Sequence, residues 1–237
     1  MVEVYICQLP EKKSQAELEM LSERVPDERQ KRIRQFFHLE DAYRAMIGDL
    51  LLNHVLQEKT GTGLKDTVIE KNVYGKPFLY DYPAFQYNIS HSGKYVVCAL
   101  HDQPVGIDVE KVQSFDLRIA KHLFTGFEYR DIIHSRNKNL ACFEIWTLKE
   151  SYLKAVGKGL AIPLHSFRVK NMDNNQIEIV DMEKNEKVDF ICKQYTIAAD
   201  YKLAVCAKRA KKNDFAEYPA EICFDELRRS IGDEYCG

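Results

Sequence analysis

The sequence lacks three features that would assign it to a specialised class of protein. Its 34 lysines and arginines nearly balance its 36 aspartates and glutamates, so no overall field favours nucleic acid or a membrane surface. No apolar run reaches the ~20 residues that span a bilayer, and no basic stretch followed by an apolar core opens the chain. We therefore expect a cytoplasmic protein with no nucleic-acid or membrane partner.

Closely spaced cysteines are also missing. The chain has 7 cysteines, an odd number, but no Cys-x-x-Cys pair of the kind found in zinc sites and thiol redox motifs. Most of them lie singly in apolar runs, so we expect reduced and buried side chains. The 237 residues suffice for one large domain or two small ones, each with a core of its own.

Helical and strand patterns occur in the same order twice along the chain. Helices are predicted at 14–24, 27–37, 41–59, 116–123, 126–134 and 140–156. Strands are predicted at 2–7, 68–69, 85–89, 95–100, 105–109, 167–169, 177–180, 188–192, 195–199 and 202–207. This order predicts an α+β fold of two similar lobes, 1–102 and 103–208. The remainder, 209–237, reads as a solvated C-terminal extension with one helix at 224–231.

Two acidic side chains share one face of the predicted strand at 105–109. Alternation places Asp108 and Glu110 together on the face opposite Ile107 and Val109. Magnesium takes one or two carboxylates and completes its shell with water and phosphate oxygens. The pair is therefore a candidate metal site, although a half-buried strand with a polar outer face explains it equally well.

A second candidate pattern, one acidic and one basic residue, lies on the long helix predicted at 140–156. Glu150 and Lys154 are four residues apart, which places them on the same helix face. Taken alone, the two residues fit an ordinary surface ion pair, which contributes little to stability. Their significance depends on what else lies near them.

The segment from Tyr87 to Gly93 gathers polar side chains at a strand end. Ser90 and His91 could act as nucleophile and base, but no acidic residue stands beside them. Hydroxyl, imidazole and loop N–H groups also bind phosphate, and a purely structural turn is a further alternative. The first helices carry a basic set that fits either phosphate binding or a solvated surface: Arg29, Lys31, Arg32, Arg34 and Arg44, followed by Lys76 in a Gly-Lys-Pro turn.

Taken together, these motifs resemble a known family. Gly-Ile-Asp-Val-Glu at 106–110 and Trp-Thr-Leu-Lys-Glu-Ser-Tyr-Leu-Lys at 146–154 look like the two signatures of the 4'-phosphopantetheinyl transferases. Tyr-Gly-Lys-Pro at 74–77 and Asn-Ile-Ser-His-Ser at 88–92 resemble the surfactin-type, pseudo-dimeric branch. The similarity runs from about residue 2 to 208 and leaves the C-terminal extension outside it.

The resemblance implies a fold, a reaction and a set of roles. Two lobes related by a pseudo-twofold would bind coenzyme A in the cleft between them. Asp108, Glu110 and Glu150 would hold Mg²⁺, or Mn²⁺, with the pyrophosphate, while Lys149 and Lys154 offset the developing charge. Glu150, Lys154 and Asp108 would be the catalytic residues, with Glu150 as the base.

Further positions match coenzyme A contacts in that family. Tyr74, Gly75, Lys76 and Pro77 correspond to the segment at the adenine and phosphates. Lys31, Arg44, Ser90 and His91 correspond to contacts around the 3'-phosphate and ribose. Glu28 occupies a place where some members have a lysine, which puts that part of the 3'-phosphate contact in doubt.

The acceptor serine would come from another chain, because no Asp-Ser-Leu segment typical of carrier domains occurs here. The expected partners are apo acyl or peptidyl carrier proteins of fatty-acid, polyketide or nonribosomal peptide synthesis, bound by a monomeric enzyme. The segment after Glu110 could receive them, or could pack as an ordinary amphipathic segment: Lys111, Phe115, Leu117, Arg118, Lys121, Leu123 and Phe124. A coenzyme A pyrophosphate hydrolase and a non-catalytic binding module are the alternative functions.

Overall fold

A computed structural model describes residues 1–171 and 177–229. Its first half comprises strands and helices in the order β1 (Glu3–Gln8), α1 (Gln15–Ser22), α2 (Asp27–Arg34), α3 (Leu39–Thr60), β2 (Ile69–Lys71), β3 (Pro77–Leu79), β4 (Gln86–Ser92) and β5 (Tyr95–His101). We call these elements the N-terminal lobe. The 22-residue helix α3 ends at Gly61, whose φ of 73° permits the left-handed cap.

The second half repeats this order. It comprises β6 (Val105–Lys111), α4 (Leu117–Leu123), α5 (Gly126–His134), α6 (Lys138–Val156), β7 (Phe167–Asn171), β8 (Ile177–Asp181), β9 (Glu186–Tyr195) and β10 (Tyr201–Lys208). We call these elements the C-terminal lobe. Asn137 caps α6 at its start by accepting a hydrogen bond from the Leu140 N–H, and Gly157 ends the helix with a φ of 74°.

Sheet topology confirms the expected α+β fold with two similar halves. In the N-terminal lobe the first strand pairs with the last, giving the order β1-β5-β4. In the C-terminal lobe the first strand again pairs with the last, giving β6-β10-β9-β8-β7. The shared order of first strand, last strand and penultimate strand is what a repeated unit requires.

The inner faces of the two sheets share one apolar core. Val4, Ile6 and Val97 from the first sheet pack with Ile107 and Val205 from the second. The helices cover the outer faces, α3 over the first sheet and α6 over the second. The two sheets therefore lie between two helical layers.

The expectation of a solvated C-terminal extension is wrong for the described part. Residues Ala220–Glu221 form a strand, β11, that pairs in parallel with β1 of the N-terminal lobe. Helix α7 (Phe224–Arg229) then buries Leu227 in the core of that lobe. By pairing with β1, the extension satisfies backbone groups that would otherwise lie at an unpaired sheet edge, where other chains can add and aggregate. Residues 230 and 231 of the predicted helix lie outside the described residues.

Other differences from the predicted elements are local. The strands predicted at 188–192 and 195–199 are one strand, β9, which ends at Tyr195, and the chain then turns where the Tyr201 N–H donates to the Ala198 carbonyl. The short strand β3 follows directly after the turn at 74–77 and pairs with β2. Helix α2 ends at Arg34, three residues earlier than predicted.

The expectation of free, mostly buried cysteines is met in the described residues. Five cysteines are free and buried, and Cys223 is free but exposed: the buried ones are Cys7, Cys98, Cys142, Cys192 and Cys206. Cys236 lies outside the described residues. Within residues 1–171 and 177–229 no helix has the length and apolar character needed to cross a membrane.

Candidate active site

The acidic face of β6 is turned towards helix α6. Ile107 and Val109 are fully buried in the core between the sheets, as their alternation predicts. Asp108, also buried, and Glu110, half-buried, project to the other side of the strand. The two carboxylates therefore lie on the side of the strand on which α6 packs.

Gly106 allows α6 to approach β6 closely. A Cβ atom at this glycine would overlap the backbone oxygen of Ser151 and the backbone nitrogen of Ala155, both in α6. Neither backbone atom can move without shifting the helix. The glycine of the Gly-Ile-Asp-Val-Glu motif thus sets the distance between the acidic strand and the helix that carries Glu150 and Lys154.

A charged cluster forms where these two elements meet β4. Nζ of Lys154 lies 2.6 Å from Oδ1 of Asp108 and donates to Oγ of Ser90 at 3.0 Å. The Ser90 hydroxyl in turn donates to the same Asp108 oxygen at 3.1 Å. The second oxygen, Oδ2 of Asp108, is buried and receives no hydrogen bond from the described residues.

The buried Asp108 affects two further carboxylates, Glu110 and Glu150. Burial raises the pKa of Asp108, while the Lys154 ammonium lowers it. Burial also raises the pKa of Glu110 and Glu150, and the charge on Asp108 raises both further. With one ammonium against three carboxylates, the cluster favours an added proton or cation.

The described residues do not enclose a metal ion by themselves. Across 1–171 and 177–229, no three acidic, histidine or cysteine side chains are gathered closely enough to surround a cation. The candidate metal ligands are all carboxylate oxygens. Such ligands suit a hard cation that completes its coordination shell with water or phosphate oxygens. The buried, unpartnered Oδ2 of Asp108 fits such an ion, since a buried charged oxygen without a donor is costly.

A ladder of polar side chains joins the two lobes beside this cluster. Alternate residues of β4 accept hydrogen bonds from alternate backbone N–H groups of β6: Asn88 from Ile107 at 2.9 Å, Ser90 from Val109 at 3.4 Å and Ser92 from Lys111 at 3.0 Å. Ser92 also donates to Glu110 at 2.8 Å. Side chains thus replace the backbone acceptors of a regular sheet at this seam.

Ser90 and its neighbour His91 point to opposite sides of β4. The Ser90 side chain is almost fully buried and points into the Asp108 and Lys154 cluster. The His91 side chain points to the exposed side of the strand. The residue as a whole is exposed, but partial loss of hydration around the ring lowers the pKa of His91, and the charges on Arg44 and Lys154 lower it further.

The turn at 74–77 is fastened to the end of α6. Asn72 accepts hydrogen bonds from the N–H groups of Tyr74 and Lys76, each at 2.9 Å, and donates to the Gly157 carbonyl at 2.9 Å. Gly75 has a φ of 89°, which its lack of a side chain allows. Asn72 was not singled out from the sequence, although an Asn two residues before a Gly-containing turn is a typical turn signal.

The ammonium group of Lys76 is hydrogen-bonded inside the protein. Its Nζ donates to the carbonyls of Val105 at 3.0 Å and Ala155 at 3.1 Å. Burial lowers the pKa of Lys76 to about 8. The side chain therefore ties the turn to the start of β6 and the end of α6.

An open cavity of about 230 Å³ separates this turn from the cluster. Its wall is formed by the turn, by one residue of the polar ladder and by the last turns of α6: Tyr74, Gly75, Lys76, Pro77, Asn88, Glu150, Leu153, Lys154, Gly157 and Gly159. The structure therefore brings the segment at 74–77 together with Glu150 and Lys154 around one cavity between the lobes.

Two basic residues of the first helices, Arg44 and Lys31, are not among the residues that line this cavity. Arg44 of α3 donates through Nε to the Gly93 carbonyl at 2.8 Å and pairs with Asp41 at 2.6 Å and Glu40 at 3.1 Å. Its guanidinium therefore lies at the far end of β4, next to His91. Lys31 is exposed on α2.

The structure does not bring Lys149 to the cluster. Its Nζ is fully buried, 2.9 Å from Glu128 of α5, and donates to the carbonyls of Leu164 and Phe167. Lys149 lies five positions from Lys154, about 140° away around the helix, so the two ammonium groups face different sides. The expectation that Lys149 contacts the phosphates conflicts with this placement.

The segment after Glu110, expected to receive a carrier protein, does not present its apolar side chains for docking. Its apolar side chains pack against α6 in a small core rather than facing solvent: Phe115, Leu117, Leu123 and Phe124. Lys111, Arg118 and Lys121 are exposed. The apolar residues thus follow the amphipathic-packing alternative, and the basic ones remain available at the surface.

Comparison with known proteins agrees with this arrangement. Residues 104–206 match the family model of the 4'-phosphopantetheinyl transferase superfamily, and residues 12–103 match a model described as 4'-phosphopantetheinyl transferase, N-terminal. The 4'-phosphopantetheinyl transferase Sfp of Bacillus subtilis (strain 168) is 36% identical over 217 residues, which cover 90% of this chain and 94% of that protein.

Two further relatives extend the comparison. The 4'-phosphopantetheinyl transferase gsp of Aneurinibacillus migulanus is 35% identical over 87% of this chain and 86% of its own length. The human L-aminoadipate-semialdehyde dehydrogenase-phosphopantetheinyl transferase is 33% identical over 69% of this chain and 60% of its own length. With its two family-model matches and its near full-length relatives, the chain belongs to the 4'-phosphopantetheinyl transferase superfamily.

Proposed function

We propose that the protein transfers the 4'-phosphopantetheine moiety of coenzyme A to a serine of an apo acyl or peptidyl carrier protein, releasing 3',5'-ADP. The observation that carries this proposal is the meeting of Asp108 from β6 with Lys154 from α6 at the cavity that Glu150 lines. The relatives of similar length are named 4'-phosphopantetheinyl transferases. The enzyme acts as a monomer that meets its carrier protein only during transfer.

Asp108, Glu110 and Glu150 are the residues that would hold Mg²⁺, for which Mn²⁺ could substitute. Besides burial, the charge on Asp108 raises the pKa of both Glu110 and Glu150, and the charge on Glu150 raises that of Glu110, so a divalent cation would relieve the negative charge gathered here. Oδ2 of Asp108, buried and without a donor, would gain a ligand. Bound there, Mg²⁺ supplies charge neutralisation at diphosphate oxygens.

Glu150 and Lys154 have distinct roles in transfer. The carrier serine oxygen attacks the β-phosphorus of coenzyme A, and the bond from that phosphorus to the oxygen of 3',5'-ADP breaks. Glu150 accepts the serine proton, a role suited to a carboxylate whose pKa burial has raised. Lys154 stabilises the negative charge that grows on the leaving phosphate.

Coenzyme A occupies the cavity between the turn at 74–77 and α6. Tyr74, Gly75 and Pro77 form the wall for the adenine and phosphates, held in place by the internal hydrogen bonds of Lys76. His91 and Arg44 lie together at the end of β4, on the side proposed for the ribose and 3'-phosphate. Lys31, exposed on α2, is proposed to reach the same phosphate, while Ser90 orients Asp108 and Lys154.

Mass spectrometry of apo carrier proteins tests this function. Acyl and peptidyl carrier domains are incubated with the protein, coenzyme A and Mg²⁺, and a phosphopantetheine-sized mass gain on the carrier serine is expected. Release of 3',5'-ADP without a carrier would instead identify a hydrolase. Binding of coenzyme A or carrier with neither product would identify a non-catalytic module.

A further inference from the structure

Helix α2 is a short, basic helix with little apolar anchoring. Its eight residues include Lys31, Arg32 and Arg34, all exposed, and bury only Ile33. Two helical turns are too short to be stable in water without tertiary contacts. One apolar side chain does not fix the rotation of a helix, so another contact is needed to set the direction in which its basic side chains point.

That contact is an ion pair with the buried helix beneath. Nη1 of Arg29 lies 2.9 Å from Oδ1 of Asp49 in α3. The side chain of Arg29 is 13% exposed and that of Asp49 is 6% exposed, so solvent screens the pair little. Other ion pairs of the same helix are different in kind: that between Glu28 and Lys71 joins side chains that are 78% and 60% exposed.

The ion pair determines which side of α2 faces outwards. Arg29 and Ile33 are four residues apart and share the inward face. Lys31 lies two residues from each, about 200° around the helix from Arg29, and is exposed on the opposite side. Arg29 therefore cannot contact a ligand on the outer face, but its pairing holds Lys31 there.

We propose that the Arg29 and Asp49 ion pair is a positioning device that aims Lys31 at the 3'-phosphate of coenzyme A. This inference rests on the proposed function, and it assigns to two residues that touch no substrate a role in recognising one phosphate group. Breaking the pair leaves the helix attached by Ile33 and by Gln30, which donates to the Val25 carbonyl at 3.0 Å. It removes the contact that fixes Arg29 on the inward face. The loss then appears in binding of the 3'-phosphate and not in the transfer step at Asp108, Glu150 and Lys154.

The test compares coenzyme A with 3'-dephospho-coenzyme A as donors to one apo carrier protein. Asp49→Asn keeps the shape of the side chain and removes its charge. We expect it to raise KM for coenzyme A about tenfold, the worth of one charge-assisted hydrogen bond, with kcat and the KM of the dephospho donor unchanged. Lys31→Ala should do the same, and the double variant should lose no more than either single one.

Matched variants separate positioning from loss of stability. Leu51→Ala creates a cavity in the same buried helix and should lower Tm without changing the ratio of the two KM values. Asp189→Asn breaks an exposed ion pair with Arg209 in the C-terminal lobe, at residues with no proposed ligand contact, and should also leave the ratio unchanged. If Asp49→Asn does not fold, Arg29→Lys, which keeps the charge but not the planar fork, should shift the ratio in the same direction by less.

Two results would overturn the inference. One is an Asp49→Asn variant whose KM rises equally for both donors or for neither, and the other is additive loss in the double variant with Lys31→Ala. Failure of the proposed function looks different, because the wild-type protein would then transfer phosphopantetheine from neither donor.

Discussion

Nζ of Lys154 lies 2.6 Å from Oδ1 of Asp108, which joins the last turns of α6 to the middle of β6. The Asp108 carboxylate is buried, whereas the Lys154 ammonium borders the cavity. The pair therefore holds α6 against β6 and also contributes to the charge of the cavity wall. Asp108 alone in this position would be a buried charge without compensation. The pair thus stabilises the contact between β6 and α6, and in the proposed reaction it also places a positive charge beside the coenzyme A cavity.

Lys154→Met should reduce kcat for transfer by about 10²- to 10³-fold, because it removes a positive charge placed where the leaving phosphate becomes negative. The methionine keeps most of the apolar length of the side chain, but it leaves the buried Asp108 without its counter-charge, so a loss of stability should accompany the loss of kcat. Steady-state kinetics with coenzyme A and an apo carrier measure the effect, and circular dichroism checks the fold. A kcat within twofold of the wild type would remove Lys154 from the catalytic residues.

Gly106→Ala should impair both stability and transfer. A methyl group at this position meets the backbone of α6 at Ser151 and Ala155, and the helix must move away from β6 to admit it. Glu150 and Lys154 then move relative to Asp108, while their chemical identity is unchanged. Denaturant unfolding and kinetics measure the two losses. Wild-type values for both would show that the close approach of the helix has no importance.

The sequence predicts the acidic strand and its partner helix well because both depend on local periodicity. Alternation along β6 separates Asp108 from Ile107, and helical spacing places Glu150 beside Lys154. The same spacing places Lys149 on another face, but only the fold supplies Glu128 as its buried partner. The ladder from Asn88 to Ser92 is visible as alternating polar residues, although its partners lie across the seam between the lobes.

The docking of the C-terminal extension has no comparable local signal. Strand β11 has two residues and pairs with β1, more than 200 positions earlier in the chain. Neither residue of β11 is buried, so hydrophobic periodicity gives no indication of a strand. Leu227 is a single apolar position in a polar segment, and its burial depends on a groove formed by the N-terminal lobe.

Lys76 should give the protein a measurable increase in stability at alkaline pH. Its pKa in the folded state is about 8 because of burial, whereas an unfolded lysine titrates near about 10.4. Between these values the unfolded state binds more protons, so the free energy of unfolding rises with pH, by at most about 1.4 kcal/mol per unit. Below pH 8 both states are protonated and the cost of burying the charge is fully present.

The comparison with Lys76→Met isolates this contribution from other groups that titrate in the same range. Chemical denaturation of both proteins from pH 7 to 10 should show the free energy of unfolding of the wild type gaining on that of the variant above pH 8. Parallel curves over the whole range would contradict the burial of this ammonium.

The Lys149 and Glu128 ion pair should behave as a buried structural link between α6 and α5. Both oxygens of Glu128 accept backbone hydrogen bonds, one from the Thr125 N–H and the other from the Val169 N–H. Glu128→Gln removes one of these acceptors and leaves the fully buried ammonium without its counter-charge. We expect a loss of about 3–5 kcal/mol in the free energy of unfolding. The double variant Glu128→Gln with Lys149→Met should lose less than the sum of the two single variants, and strict additivity would argue against a direct pair.

We expect carboxylates from β6 and α6 to act together at one divalent ion beside the coenzyme A diphosphate. Electron paramagnetic resonance titration of Mn²⁺ into the coenzyme A complex measures this directly, with wild type compared with Asp108→Asn, Glu110→Gln and Glu150→Gln. One tight site is expected in the wild type, with at least about tenfold weaker binding in every variant. Wild-type affinity retained in either Asp108→Asn or Glu150→Gln would contradict this joint binding.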